Sequence, residues 1–227
     1  MTLVEGTKLT RRGSILGFGG FLLGVLGWKA AEAGAGPAGV ASGTVSCVLA
    51  PEQTEGPYYI AGEKLRRNIT EGRPGVPLLL RLRVVDASTC RPIKGAAVDI
   101  WHADALGAYS GFGSGSGNRT FMRGIQRTDR TGLARFRSVY PGWYQGRTVH
   151  IHVKVHVRGN VVHTGQLYFP DSVTDRVFRR KPYSRRGKRT TRNAKDFVFA
   201  QGGRRSLLGL RKVGSAYVGS ITLGVSR

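Results

Sequence analysis

Residues 148–157 read TVHIHVKVHV, and apolar and polar side chains alternate along the stretch. Successive side chains of a β-strand point to opposite faces of a sheet, so this period of two predicts a strand with one apolar and one polar face. We expect the apolar face to pack into a core. His150 and His152 then share the polar face about 7 Å apart, a separation that one metal ion can bridge. An ordinary polar strand face also carries histidine often, so the pair alone leaves both interpretations open.

Short β-branched runs separated by turn signals make up most of the chain. Besides residues 148–157, they are LLLRLRVVD (78–86), AAVDIWHA (96–103), LARFRSVY (133–140), VVHTGQLYF (161–169) and AYVGSITLGV (216–225). Many short strands without a helix-period segment of normal length predict an all-β protein, an antiparallel β-sandwich with long loops and little helix. We expect the basic, glycine-punctuated residues 170–210 to form a surface excursion that has room for a short helix.

The segment RGN (158–160) predicts a three-residue hairpin loop between the runs on either side of it. Val157 would then face Val161, and counting back places Gln166 opposite His152 and Tyr168 opposite His150. A two-residue loop would shift the register by one residue and turn Gln166 away from the histidine pair. The predicted position of Gln166 therefore depends on the loop.

The N-terminal residues resemble a removable export signal. Arg11 and Arg12 precede a glycine-rich apolar run, and small residues typical of a cleavage site follow at 31–33. An uncleaved membrane anchor is the alternative, but the run is shorter than the ~20 apolar residues that a span needs. We predict a twin-arginine-type signal peptide at 1–33, a Gly/Ala-rich linker at 34–46, a single domain at 47–227, no membrane span, and a secreted bacterial protein.

The predicted domain contains the chain's two cysteines, Cys47 and Cys90. In an oxidising compartment one disulfide is the economical interpretation, with two buried free thiols as the alternative. No second Cys or His lies at ligand spacing from either one, which argues against a thiolate metal site.

The charge is strongly basic, with 36 Lys and Arg against 13 Asp and Glu. Much of the excess falls between Arg176 and Lys212, where Asp196 is the one acidic residue. Such a surface favours anionic partners, and we expect these residues to face an anionic wall or extracellular polymer. No nucleic-acid fold signature is present, so we expect no specific nucleic-acid partner.

Four blocks of the sequence resemble the intradiol ring-cleavage dioxygenases, the family of catechol 1,2-dioxygenase and protocatechuate 3,4-dioxygenase. They are TEGPYY (54–59), VDIWHADALGAYSGF (98–112), PGWYQGRTVHIHVKV (141–155) and GQLYFP (165–170), in family order. The resemblance covers roughly residues 47–225 and is to short secreted bacterial members. It implies an enzyme that cleaves a small aromatic diol with O2 between the two hydroxylated carbons, giving a cis,cis-muconate-type product.

The resemblance also implies one non-haem Fe(III) per chain, bound by two tyrosinates and two histidines. The matching residues are Tyr109, Tyr144, His150 and His152. Phenolate oxygens are hard anionic donors that suit a ferric ion, whereas thiols or three histidines would suit copper or zinc better. Taken alone, each tyrosine is more typical of a rim residue that packs its ring.

Four further roles follow from the same resemblance. Tyr144 matches the tyrosinate that leaves the metal and accepts a substrate proton. Arg147 matches an active-site arginine that stabilises negative charge on the substrate ring, although a surface salt bridge would also explain it. Gln166 matches a glutamine beside the substrate, and Pro57 and Tyr58 fall where the family lines its ring pocket.

Two alternatives remain at this level. The segments 84–107 and 127–136 also resemble the strand-turn-strand pattern of transthyretin-like and adhesin accessory domains, which are structural. A degenerate dioxygenase that keeps the fold and binds aromatics or polyanions is the other. The complete set of four candidate ligands favours the enzyme over both. The helical dimerisation segment of cytosolic catechol enzymes has no counterpart here, so a homo-oligomer is left open.

Overall fold

The structure, a computed structural model, describes residues 47–113 and 116–226. The predicted signal peptide (1–33) and linker (34–46) lie outside the described residues. The described part contains one α-helix, α1 (Asp171–Phe178), and short 3₁₀ turns at Tyr183–Arg185, Asn193–Lys195 and Gly203–Ser206. Its strands are β1 (Pro77–Asp86), β2 (Ala97–Trp101), β3 (Arg123–Arg127), β4 (Leu133–Val139), β5 (His150–Val157), β6 (Asn160–Tyr168), β7 (Gly209–Val213) and β8 (Ala216–Val225).

The strands form two four-stranded sheets, which confirms the predicted sandwich. Sheet A has the order β4-β1-β8-β7, and sheet B has the order β3-β2-β5-β6. All pairs are antiparallel except β1 with β8. These two strands lie at opposite ends of the domain sequence, so no tight turn forces them to run in opposite directions. Strands β3 and β7 were not predicted, because RGIQR and GLRKV lack an apolar alternation.

The core lies between the sheets. Leu78, Leu80 and Leu82 of β1 are fully buried on the sheet A side, and Ile151 and Val153 of β5 are fully buried on the sheet B side. Burying each such side chain contributes roughly 1.5–3 kcal/mol. The apolar face of residues 148–157 therefore packs as predicted, which fixes the direction of the histidine face.

The β5–β6 hairpin reaches the predicted register by a different route. Its loop has two residues, Arg158 (φ 52°) and Gly159 (φ 88°), and Val157 pairs with Asn160. Both loop residues have positive φ, the geometry of a type I′ turn. A β-bulge between Val155 and His156 then shifts the register by one residue. As a result His152 pairs with Gln166 and His150 with Tyr168, as predicted, although the three-residue loop was wrong.

Residues 170–210 include the expected short helix but are more than a surface excursion. Tyr183 is buried, its hydroxyl donates to the Tyr140 carbonyl (2.7 Å), and the Val76 amide donates to the Tyr183 hydroxyl (3.0 Å). Asp196 is also buried. The segment therefore packs against the sandwich through buried residues, although its basic composition predicts a surface segment.

The two cysteines form a disulfide, Cys47–Cys90, with Cα atoms 5.3 Å apart. It connects the start of the described chain to the turn after β1 across a sequence separation of 43. Closing a loop of that length stabilises the fold by about 4 kcal/mol in the chain-entropy model. No helix in the described ranges is long and apolar enough to cross a membrane.

Candidate active site

The four predicted ligand side chains gather on the outer face of sheet B. The Tyr144 hydroxyl lies 3.1 Å from His150 Nε2, and His150 Nε2 lies 3.1 Å from His152 Nε2. The Tyr109 ring centroid is 5.7 Å from that of Tyr144 and 6.3 Å from that of His152. Strand β5 supplies both histidines, while the tyrosines come from two separate loops.

Both histidine side chains are uncharged at physiological pH, so each can offer a nitrogen lone pair to a metal ion. Burial, followed by the nearby positive charge of Arg147, lowers the pKa of His150 to about 3. Burial, followed by His150, lowers the pKa of His152 well below its usual value. The Nδ1–H of His150 donates to the Thr148 carbonyl (2.7 Å), which leaves the Nε2 lone pair directed at Tyr144 and His152.

The tyrosines stay protonated unless a cation is close. Burial, followed by the neighbouring Tyr144, raises the pKa of Tyr109 well above its usual value. Burial also raises the pKa of Tyr144, while Arg147 acts in the opposite direction. Within the described residues, the buried Tyr109 hydroxyl has no hydrogen bond of standard geometry. An unpaired buried hydroxyl is costly, so the site is suited to a further group that binds this oxygen.

These observations fit a ferric ion. Two phenol oxygens and two neutral imidazole nitrogens face one another, and two of the contacts between them are 3.1 Å. No group of three or more His, Cys, Asp or Glu residues suited to a metal occurs in the described ranges. A metal at this place therefore requires the tyrosines, and phenolate donors favour a hard, highly charged cation.

Close packing holds His152 in place. The Trp101 ring stacks on the imidazole with centroids 4.9 Å apart and planes 6° from parallel. On another side lies Gly56, at φ 72°, where an added Cβ would come within 3.1 Å of His152 Cε1. Only glycine suits this position, because it adopts the left-handed conformation without strain and leaves room for the ring.

The buried Arg123 positions the Tyr109 loop and the Tyr58 segment together. Its guanidinium donates to the Ser110 carbonyl (2.8 Å) and to the Tyr58 carbonyl (2.7 Å). In the same loop, Asp104 Oδ1 accepts hydrogen bonds from the backbone amides of residues 106 and 108. The two aromatic segments are thus tied to sheet B through charged groups.

Arg147 is also held by charge. Its Nε lies 2.8 Å from Asp196 Oδ2, and its NH2 group donates to Gln166 Oε1 (2.6 Å). Asp196 Oδ2 also accepts from the Thr148 amide (2.7 Å). Burial alone would raise the pKa of Asp196, but hydrogen bonds from Arg147 and from backbone amides lower it overall. Arg147 is therefore a fixed cation facing the candidate ligands, and its carboxylate partner comes from the basic segment.

The candidate substrate-pocket residues differ in their environments. Tyr58 is half-buried and stacks on Tyr109, with centroids 4.2 Å apart and planes 16° from parallel. Gln166 is buried, and its amide donates to the Thr54 carbonyl (3.0 Å). Pro57 is exposed directly before Tyr58. The structure thus brings Tyr58, Arg147 and Gln166 to the four candidate ligands, with Pro57 at the edge.

Sequence reasoning missed three supporting residues: Arg123, Asp104 and Asp196. Asp196 did carry a signal, as the single acid in a long basic run. Among the other histidines, His102 makes structural hydrogen bonds, with Nε2 2.7 Å from Ser138 Oγ. His163 is buried away from this site, with Nδ1 2.6 Å from Glu52 Oε1.

Comparison with known proteins finds several similar dioxygenases. A family model described as "Dioxygenase" matches residues 54–183. Catechol 1,2-dioxygenase 2 of Acinetobacter lwoffii is 38% identical over 119 residues, which is 49% of this chain and 40% of that protein. The chlorocatechol 1,2-dioxygenase of Cupriavidus pinatubonensis is 29% identical over 53% of this chain and 56% of that protein. The chain therefore spans only part of the length of the curated relatives that it matches.

Solved structures match more completely. An intradiol ring-cleavage dioxygenase from Tetranychus urticae is 37% identical with a TM-score of 0.76, over 79% of this chain and 95% of that one. The dioxygenase domain of a dioxygenase carbohydrate-binding protein fusion from Streptomyces sp. SirexAA-E is 33% identical with a TM-score of 0.63. That match covers 79% of this chain and 99% of the other.

Proposed function

Since the chain belongs to the intradiol ring-cleavage dioxygenase family, we propose that it cleaves catechol-type aromatics with O2 between the two hydroxylated carbons. Both oxygen atoms of O2 enter the product, a cis,cis-muconate-type dicarboxylate, so catechol plus O2 balances without an external reductant. The proposed cofactor is one non-haem Fe(III) per chain, held by Tyr109, Tyr144, His150 and His152.

One observation carries this proposal. His150 Nε2 lies 3.1 Å from both the Tyr144 oxygen and His152 Nε2, and the Tyr109 hydroxyl is buried beside them without a partner of standard geometry in the described ranges. Burying four possible metal-ligand side chains together would destabilise a purely structural β-sandwich module, because buried polar groups without partners lower stability. Ferric iron, when bound, would supply the positive charge that ionises the phenols and draws electron density from a bound diol.

Three side chains of the protein would act on the substrate in addition to the iron. Tyr144 is half-buried, and its oxygen accepts a proton from a substrate hydroxyl, as a general base. Arg147, fixed by Asp196 and Gln166, faces the negative charge that the diol acquires on ionisation. The half-buried Tyr58 ring forms an aromatic wall on which the substrate ring packs.

The test is to purify residues 34–227 and to measure iron content, visible absorption and O2-dependent consumption of catechol. We expect about one iron per chain, a red colour from tyrosinate-to-iron charge transfer, and formation of a muconate. A colourless, iron-free protein that forms no muconate would exclude the proposed function.

We also propose that the protein is exported through the twin-arginine pathway and faces an anionic wall or polymer through its basic residues 176–212. Arg11 and Arg12 and the disulfide Cys47–Cys90 support export, because disulfides persist in oxidising compartments. Replacing both arginines by lysine should retain the protein inside a bacterial host, as seen by cell fractionation. Secretion at the unchanged level would contradict this.

A further inference from the structure

A second concavity lies at the end of sheet B away from the four candidate ligands. There Ala97 of β2 pairs with Arg127 of β3 on one side and with His156 of β5 on the other. These residues belong to the outer face that also carries Trp101 and His152, because every second residue of a strand shares a face. Ala97 lies about 13 Å from Trp101 along β2 by the usual rise per residue. The concavity is therefore distinct from the proposed iron site.

Apolar side chains line part of this concavity. Its volume is about 380 Å³, and small-molecule sites commonly have roughly 300–1,000 Å³. Ala97 is small and leaves space between the strands on either side of it, while Ile93 and Val157 add apolar surface. A ligand that fills this space gains from burying an apolar body.

Three permanent cations line another part of the concavity. Lys94 comes from the loop before β2, Arg127 ends β3, and Arg158 belongs to the β5–β6 hairpin loop. All three are exposed, and none forms an ion pair with another residue in the described ranges. No Asp or Glu in those ranges lines the concavity. A cleft lined by charges of one sign concentrates their field, so this one attracts anions.

We propose that the concavity binds a small organic acid with two carboxylates and an apolar body. A guanidinium binds a carboxylate through two parallel hydrogen bonds, and Arg127 and Arg158 each offer one such group. Lys94 adds a third charge, and the half-buried His156 ring can donate a further hydrogen bond. The apolar lining favours an organic acid over an inorganic oxyanion, which has no apolar surface to bury. The site does not depend on the proposed ring cleavage, although that reaction would produce a dicarboxylate.

The experiment measures binding of adipate, a six-carbon dicarboxylate, to the purified protein by calorimetry at pH 7 and low salt. Arg127→Gln should weaken adipate binding about tenfold, the effect of losing one hydrogen bond to a charged group. Arg81→Gln is the matched control, because Arg81 is exposed on the outer face of sheet A and its replacement removes the same charge. We expect the control to change the affinity less than about twofold.

Two further measurements test the shape of the site. Ala97→Leu retains all the cations but fills the space between Arg127 and His156, so it should abolish adipate binding while circular dichroism stays unchanged. Inorganic phosphate, a dianion without an apolar body, should bind the wild type at least about tenfold more weakly than adipate.

Four outcomes would overturn the site. They are no adipate binding by the wild type, unchanged affinity in Arg127→Gln, equal weakening in Arg127→Gln and Arg81→Gln, and phosphate binding as tight as that of adipate. The third would show general attraction to a basic protein, and the fourth a plain oxyanion site. Catechol turnover is measured separately and should be normal in Arg127→Gln. Its absence in the wild type would overturn the proposed function and leave the adipate result unaffected.

Discussion

Strands β1 and β5 occupy central positions in their sheets, but only β1 has an outer face open to water. On β1 the outward residues Pro77, Leu79 and Arg81 are exposed. On β5 the outward residues His150, His152 and Lys154 are buried, like the inward valines of the same strand. Both strands have the same period of two, so the difference comes from the loops that cover sheet B and leave sheet A uncovered.

Covering an outer face changes the chemistry of the residues on it. Arg81 keeps its charge hydrated, whereas His150 and His152 lose their water and have strongly lowered pKa values. Two buried, uncharged imidazoles beside two phenols contribute little to the stability of the fold, but they are well suited to binding a metal ion. The comparison therefore predicts that substitutions on the two outer faces have very different effects.

The largest effect should come from His152→Ala. It removes one of the proposed ligands, and we expect iron content and catechol turnover to fall to background. Arg81→Ala, on the outer face of sheet A, should keep both at the wild-type level. Metal analysis and O2 uptake on the two proteins check this, and normal iron in His152→Ala would show that the ion binds elsewhere.

Tyr144→Phe should have the next largest effect. It keeps the ring packing but removes the oxygen that lies 3.1 Å from His150 Nε2. We expect some iron to remain, a changed visible spectrum, and a fall in kcat of about 100-fold, the lower range for loss of a general base. Absorption spectra recorded with the kinetics provide the measurement. An unchanged spectrum and rate would remove Tyr144 from the ligand set.

Asp196→Asn should reduce activity without removing iron. The variant loses the charge that lies 2.8 Å from Arg147 Nε, so Arg147 loses its fixed orientation toward the site. We expect kcat/KM to fall about tenfold to 100-fold, in line with other residues that orient an active-site group. Asp175→Asn, which breaks ion pairs with Arg189 and Arg192 on the same segment, is the control and should leave kcat/KM unchanged. Equal losses in both variants would mean that Asp196 only stabilises the segment.

The smallest effect on turnover concerns Asp99, which lies on β2 under the covering loops. Burial, followed by the charge of Glu63, raises the pKa of Asp99 from 3.8 to about 7. The folded state therefore binds this proton more tightly than the unfolded state, and the contribution of Asp99 to the free energy of unfolding should fall as pH rises from about 4 to about 7. A shift of this size corresponds to about 4 kcal/mol.

Asp99→Asn should remove most of that pH dependence and should be more stable than the wild type at pH 8. Urea unfolding of both proteins at pH 5 and pH 8 gives the comparison. An equal change in stability between these two pH values in both proteins would contradict the assignment, because the buried histidines contribute the same pH dependence to each.

Much of the architecture and of the candidate site could be predicted from local pattern. The alternation in residues 148–157 predicts which side chains are in the core, and it places His150 and His152 on one face. The pairing of Gln166 with His152 was also predicted, although by the wrong loop. The compensating bulge was not predictable, because a bulge trades one backbone hydrogen-bond pattern for another and leaves no clear mark in residue type.

Sequence by itself determined the strands with strong alternation, since these depend on residue type and short-range spacing. The cysteine pair followed from the cysteine count, and the four candidate ligands followed from the resemblance of the sequence blocks to the family. Tertiary structure alone decided the parallel pairing of β1 with β8, the burial of sheet B's outer face, and the pairing of Asp196 with Arg147 across 49 residues. These features depend on which distant segments meet, and the free energy of such contacts is absent from any local window. The histidine face of β5 shows both: its period is local, and its burial is decided by loops that come from elsewhere in the chain.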